Sequence, residues 1–591
     1  MKVSSASSQG PSVQEQTNHQ DENDSTTPEF IYGGPFIQVE KDAKFLNTVT
    51  PFNMQLQGTF KKGFAYYSLK ERLPIILTKV IDYLSRESSK IKSSHNASDE
   101  DIRGLIQYIT KLKNDLVTNK KYDLLTVNTP EAKKWNQWIF NAESPYYFTN
   151  VWVFSECYVY RRLREGCELS KGLRFFDPFD EQKDNSFRNS LEPMCLVADK
   201  LVTMLPASDK DKRKQDFITL LKLCLWSNKC DLSLSNGEET RAILDPLQMI
   251  VDLKDKVLVD DSAKICDTIC NKAENMSKAI EGNTVFKAKC SCHRLATLAG
   301  MPICKHESPE APEAKQEGET SEAPPQIPCP AKMTLPQAVT FDIICDNAGY
   351  ELFTDLCLAH FLISQNIVKK VRFHVKKIPW FVSDVTSRDF RYVISSCAGA
   401  SFSREIPPEP KPAAEGEAPA GPEPPTVIKS DNLRQLGAAW EKYVEDGIFV
   451  VMSDDFWTSP HVYRDMKKYD PNLYRKLQFA VALLFKGDLN YRKLLCEKNC
   501  IPTVGFEPSL QGFIPAPIIA VRTIKADLIC GLPKGKWEQL NKIDDKWMLK
   551  AEYGTIQFCP KAEPLKVSDR PCADYGVTCF GEVCPTHTVL K

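Results

Sequence analysis

Residues 338–375 read in order as an apolar strand-length run ("AVTFDIIC"), a polar break ("DNAGY"), a helix-length run ("ELFTDLCLAHFLIS") and a second strand ("VKKVRFHV"). A strand, a helix and a strand in that order form a crossover, and crossovers join parallel neighbours. The alternation continues. A helical "SRDFRYVISSC" and "DNLRQLGAAWEKYVED" precede the strand "GIFVVMS", and the strands "FAVALLFK" and "PIIAVRTIK" follow. This pattern predicts an open α/β sheet over residues 336–560, interrupted by a Pro/Glu-rich insertion at 400–428.

The upstream half has a different period. In "LKERLPIILTKVIDYLSRESSKI" the residues Leu73, Ile76, Val80, Tyr83 and Leu84 fall on one stripe; in "DEDIRGLIQYITKLKNDLV" Ile102, Leu105, Ile106, Ile109 and Leu112 do the same. Residues 60–285 therefore read as a mostly helical domain. Residues 1–59 form a polar arm expected to be disordered, 286–335 a low-complexity insertion and 561–591 an irregular tail. The 591 residues carry a formal net charge of −1, so nothing electrostatic argues for nucleic acid or an anionic membrane as a partner. No apolar leader or spanning run is present. The 21 cysteines, spread over so long a chain, read mostly as reduced core thiols, and the expected compartment is the cytosol, with the nucleus open.

Open α/β sheets bind ligands beyond the carboxyl ends of their strands. Those positions hold Asp346–Asn347, Asp384, Asp454–Asp455, then Lys486, Asp488 and Asn490, and finally Arg522 and Lys525. A single aspartate there is usually a helix cap; several at one edge suggest a site. Asp and Asn offer hard oxygens suited to magnesium or manganese. The α/β region has only His360, His374 and His461, none beside these acids, which argues against a histidine-rich zinc centre. Lys486, Arg492, Arg522 and Lys525 are the cations expected to neutralise a phosphate. There is no Walker A loop, no multi-glycine dinucleotide fingerprint and no Gly-flanked serine elbow. Cys290, Cys292, Cys304 and His306 have zinc-ligand chemistry, but Cys-x-Cys is tighter than the usual spacing, and solvent-facing thiols are the expectation.

The segments "DNAGYELFTDL", "PWFVSD", "FKGDLNYRKL" and "RTIKAD", with "LWSNKCDLSLS" upstream, resemble the metal-dependent damage-control phosphatases, in the eukaryotic branch marked by an Arg-Thr-x-Lys motif. The resemblance spans roughly residues 60–555. It implies a helical N-terminal domain on a Rossmann-like α/β/α domain. It also implies a Mn2+-, Ni2+- or Co2+-dependent phosphatase (Mg2+ is a further candidate) acting on small phosphorylated metabolites such as fructose 1-phosphate and fructose 6-phosphate. By motif position, Asp346, Asn347 and Asp384 would be the metal ligands. Asp346, Asp384 and Asp488 would be the catalytic residues. Asp346, Asn347, Asp488, Leu489, Asn490, Tyr491, Arg492 and Lys525 would contact substrate. A second activity implied within the branch is methyl transfer from S-adenosylmethionine to protein glutamates, in which Glu351 and Asp384 would contact the cofactor. A third reading is an inactive interaction scaffold. Asn228 and Asp231 match the family's Asn-x-x-Asp element and would close the site; Ser227 stands where glycine is common. Attack by a carboxylate and attack by water both remain open.

Overall fold

The computed structural model describes residues 45–206, 209–227, 245–281, 338–406 and 426–563, together with two short strands, Pro571–Cys572 and Val577–Thr578. The chain divides into two units, 1–40 and 41–591, and every described residue lies in the second. The polar arm up to residue 44, Asn228, Asp231, Cys290, Cys292, Cys304 and His306 lie outside the described residues.

The frame is a seven-stranded sheet built from β1 (Val257–Asp260), β2 (Thr340–Ile344), β3 (Lys370–His374), β6 (Phe449–Met452), β7 (Leu483–Lys486), β8 (Ile518–Thr523) and β9 (Gly554–Cys559). Two further strands, β4 (Ser403–Ile406) and β5 (Thr426–Lys429), form an antiparallel hairpin that carries the second Pro/Glu-rich segment. The sheet order is β1-β9-β8-β7-β2-β3-β6. From β6 to β8 all neighbours are parallel; β9 runs antiparallel to β8, and β1 runs parallel to β9. After the edge strand β1, the chain passes to β2 in the centre, moves outward through β3 to β6, then returns to β7 on the other side of β2. The order reverses between β2 and β7, which is where a Rossmann-like sheet opens a crevice.

Alternate residues along each central strand enter different cores. Leu483 and Phe485 of β7, with Ile518 and Ala520 of β8, pack on one side; Leu484, Ile519 and Val521 pack on the other. A sheet buried on both faces requires such near-continuous apolar strands. The first side is covered by the long helices α1 (Leu73–Arg86), α2 (Asp99–Val117) and α3 (Trp152–Leu169). The helix α4 (Asp180–Asn189) passes between the two sides, since Phe179 belongs to the first core and Phe187 to the second. The second side is covered by α5 (Leu191–Met204), α6 (Lys210–Trp226), α7 (Ser262–Glu281), α8 (Tyr350–Ser364), α9 (Ser387–Ala398) and α10 (Asp431–Glu445). A short helix, α11 (Gly487–Leu494), leaves β7 directly.

The fold is thus an α/β/α sandwich with a helical N-terminal region. The helical stretch 60–285 also supplies a strand, β1, to the sheet edge, and its helices divide between the two faces. The stripe on α1 centres on Leu73, Leu77, Val80 and Leu84, with Ile76 and Tyr83 only partly buried. The acids opening α2 include Asp101, which forms a capping box with Ser98. No described helix is long and apolar enough to cross a membrane.

Candidate active site

Because β2, β3, β7 and β8 are parallel, their carboxyl ends share one edge, and the residues just past them surround a cavity of about 520 Å3. It is lined by Asp346, Asn347, Asp384, Asp488, Leu489, Arg492 and Lys525, among others.

Asp346 and Asn347 follow β2, and backbone pairing brings Asp384 to them. The loop after β3 folds back so that Val385 N–H donates to Asp346 O at 2.9 Å and Ala348 N–H to Ser383 O at 2.8 Å. Asn347 and Asp384 form an isolated antiparallel bridge. The loop reaches this position through a strained turn: Phe381 and Val382 have φ of 44° and 72°. A β-branched residue rarely adopts such a φ, so the surrounding packing holds it there. One contact that does so is the Phe381 ring stacked on Tyr160, with centroids 4.7 Å apart.

Gly349 turns the chain into α8 with φ of 71°. Gly487 starts α11 with φ of 80°, and a Cβ there would sit 1.8 Å from Asp346 Oδ2. Only glycine lets the backbone after β7 approach the Asp346 carboxylate this closely.

Asp346 is nearly buried, and burial together with the charges of Glu351 and Asp384 raises its pKa well above the carboxylate range. Burial raises Asp384 to about 6, opposed by the Lys376 ammonium 3.2 Å from its Oδ2. That Oδ2 is buried, with the Lys376 ammonium as its charged neighbour. Asn347 Nδ2 donates to Asp346 Oδ2 at 3.0 Å and to Glu351 Oε2 at 2.8 Å. Its amide orientation is therefore set by two carboxylates, which turns its oxygen the other way, where the Ser383 hydroxyl donates to it.

Two buried, mutually repelling carboxylates beside an oriented amide oxygen form a hard donor set, and this suits a divalent cation. Among the described residues no group of three His, Cys, Asp or Glu side chains is placed to hold a metal.

The structure separates the remaining sequence candidates. On α11, Asp488, Leu489 and Arg492 face the cavity, as helical spacing allows. Asn490 turns away: its Nδ2 donates to the Lys486 carbonyl at 2.7 Å. Tyr491 also turns away, its hydroxyl donating to Gln557 Oε1 at 2.7 Å. Neither side chain is among those lining the cavity. Lys486 is fully buried against Asp355 at 2.7 Å and Glu351 at 3.1 Å, and it lies behind the site. Arg522 holds Asp488 Oδ1 at 2.8 Å and donates to the carbonyls of Leu528 and Ala526, so it positions Asp488 and does not line the cavity. Asp454 pairs with Lys476 at 3.0 Å, and Asp455 pairs with Lys377; both follow β6, the outermost strand, two places from β2. Glu351 is engaged by Lys486 and Asn347 and does not line the cavity.

Five basic side chains line the cavity: Arg72, Lys183, Arg492, Lys525 and Lys550. Arg72 pairs with Glu156, Lys183 with Asp177 and Asp389, Arg492 with Glu156 and Glu497, and Lys550 with Asp544. Among the described residues Lys525 alone of the five has no carboxylate partner. The helical segment contributes Gln182, Lys183 and Ser186, none of which was anticipated. Their only sequence signal is a polar face on a short helix, which any solvated helix also shows.

Residues 68–280 and 331–540 match the family model described as the damage-control phosphatase ARMT1-like domain. The chain is 32% identical to damage-control phosphatase ARMT1 of Danio rerio over 514 residues, covering 85% of this chain and 96% of that one. It is 33% identical to the Rattus norvegicus protein of the same name (84% and 96% covered) and 31% identical to that of Homo sapiens (85% and 98%).

Proposed function

The chain belongs to the ARMT1-like damage-control phosphatase family, and we propose that it is a divalent-metal-dependent phosphomonoesterase acting on small sugar phosphates such as fructose 1-phosphate and fructose 6-phosphate. The observation that carries the reading is the meeting, in one cavity, of a hard-oxygen pole (Asp346, Asn347, Asp384) with a cation, Lys525, whose ammonium forms no ion pair among the described residues. A phosphate dianion is the ligand that satisfies both.

Asp346, Asn347 and Asp384 would hold the cation, which supplies Lewis-acid stabilisation of charge on a phosphoryl oxygen. Lys525 binds the phosphoryl group by a charge-assisted hydrogen bond. Asp488, with Oδ1 fixed by Arg522, lines the cavity and can orient a water or accept its proton. Phe64, Trp152, Phe381 and Leu489 supply the apolar part of the lining and exclude bulk water around the phosphoryl group.

Phosphate release measured across a panel of sugar phosphates, with Mn2+, Co2+, Ni2+ or Mg2+ after chelation, tests the reading. Release should require metal and be lost in Asp346→Asn. Metal binding with no release from any ester would refute it. The methyl-transfer activity has weaker geometric support, because Glu351 is already committed to Lys486 and Asn347.

A further inference from the structure

The cavity has a second polar wall that the phosphate chemistry does not use. Gln182, Lys183 and Ser186 on α4 line the same cavity as the strand ends. Ser186 is 7% exposed, yet its hydroxyl has no hydrogen-bond partner. The hydroxyl is placed beside the turn into α8, since a Cβ built on Gly349 would stand 3.2 Å from Ser186 Oγ. A buried hydroxyl is ordinarily satisfied, because leaving it unpaired costs about 1–3 kcal/mol. The obvious local acceptor, a backbone carbonyl one turn earlier in α4, is not used.

The charge balance of this wall indicates the type of ligand. Lys183 is the only formal charge among the three residues, and its charge is balanced by Asp177 and Asp389, each at 2.7 Å. What α4 offers the cavity is therefore neutral hydrogen bonding from a hydroxyl and an amide. The phosphoryl charge already has its partners at the sheet edge. A neutral donor–acceptor face in the same cavity as a phosphate pole is complementary to the hydroxyls of a polyol.

We propose that α4 reads the sugar portion of the substrate, with Ser186 hydrogen-bonding one of its hydroxyls and Gln182 flanking it. This makes Ser186 a specificity residue contributed by the helical region, outside every motif at the strand ends. The proposal rests on the phosphomonoesterase reading and names the part of the substrate that this reading leaves unassigned. A site built to bind a hydroxyl discriminates strongly against a ligand that lacks one, because its own polar group is then left unpaired.

The test compares the wild type with Ser186→Ala on fructose 1-phosphate and on p-nitrophenyl phosphate, whose aryl group has no hydroxyl to be read. The expected result is a fall of about tenfold in the ratio of the two kcat/KM values, the loss of one neutral hydrogen bond. It should appear mainly in KM for the sugar phosphate, with Mn2+ affinity unchanged. Equal losses on both substrates would place Ser186 at the phosphoryl group or in the scaffold and overturn the proposal; so would an unchanged ratio. If neither ester is hydrolysed, the phosphatase reading fails separately, and calorimetric titration of fructose 1-phosphate still decides the contact. Weaker binding to Ser186→Ala would support it, and equal binding or none would overturn it.

Discussion

Gly487→Ala separates strain from clash at the site. The added methyl would lie 1.8 Å from Asp346 Oδ2 and 2.2 Å from its Cγ, where ordinary contacts begin at 3.4 Å. One partner must therefore retreat by about 3.4 − 1.8 = 1.6 Å. The carboxylate is buried and hydrogen-bonded to Asn347, so it cannot swing aside as an exposed side chain would. The positive φ costs about 1–2 kcal/mol for any residue with a Cβ. Relieving the overlap adds about 1–3 kcal/mol. Together they predict a loss of about 2–5 kcal/mol in stability. A misplacement of about 1 Å at a reacting group costs on the order of 100-fold in rate, so phosphate release should fall by at least that factor. Gly447→Ala is the control, since Gly447 has φ of 66° but nothing within 4 Å of a built Cβ. It should lose only the strain energy and keep its activity. Thermal melting, calorimetric Mn2+ titration and phosphate release on both variants make the comparison. Mn2+ binding and turnover at wild-type levels in Gly487→Ala would show that the approach to Asp346 is not a constraint, and the placement of the metal pole would have to be abandoned.

Lys525→Met should raise KM for a phosphomonoester by about 10- to 100-fold, the value of one charge-assisted hydrogen bond, while melting and metal binding stay put; steady-state kinetics and melting curves check both. Arg492→Met should act on stability first. It leaves Glu497, 2.5 Å away, as a buried carboxylate without its cation, and Glu156, 2.7 Å away, with Arg72 alone. A loss of about 3–5 kcal/mol in denaturant unfolding is expected, and wild-type stability with weakened substrate binding would mean that Arg492 serves the ligand alone. Lys272 has its pKa lowered from 10.5 to about 7 by burial, with the Ala480 carbonyl as acceptor. The unfolded chain then binds more protons between those two values, so this group makes stability rise with pH from about 7 to 10.5. Lys272→Met should flatten that rise and raise the melting temperature at neutral pH, as melting curves across pH 7–10 would show.

Much of the α/β frame was legible from residue order, because alternation and amphipathic period are local properties. The runs at β2, β3, β7 and β8 are apolar for the same reason that they are buried on both faces. Val257–Asp260 escaped notice: four residues of a marginal edge strand look like loop until Gly554–Cys559 lies beside them, about 300 positions along the chain. At the site, Asp346, Asn347, Asp384, Asp488 and Lys525 were readable because each follows a strand, and parallel strands end together. Which cations remained available to a ligand was not readable. Lys486 and Arg492 look like Lys525 in sequence, but Lys486 is paired with Asp355, 131 residues away, and Arg492 with Glu156, 336 residues away, as well as with the nearby Glu497.

The sequence by itself determined the kind of sheet and which strand ends carry oxygen donors and cations, since periodicity and residue chemistry are written along the chain. The tertiary structure alone decided which charges cancel, why Gly487 must lack a side chain, and that α4 brings the Ser186 hydroxyl to the lining of the cavity. Each of these depends on distances between segments remote in sequence, and neither a local period nor a residue type encodes such distances.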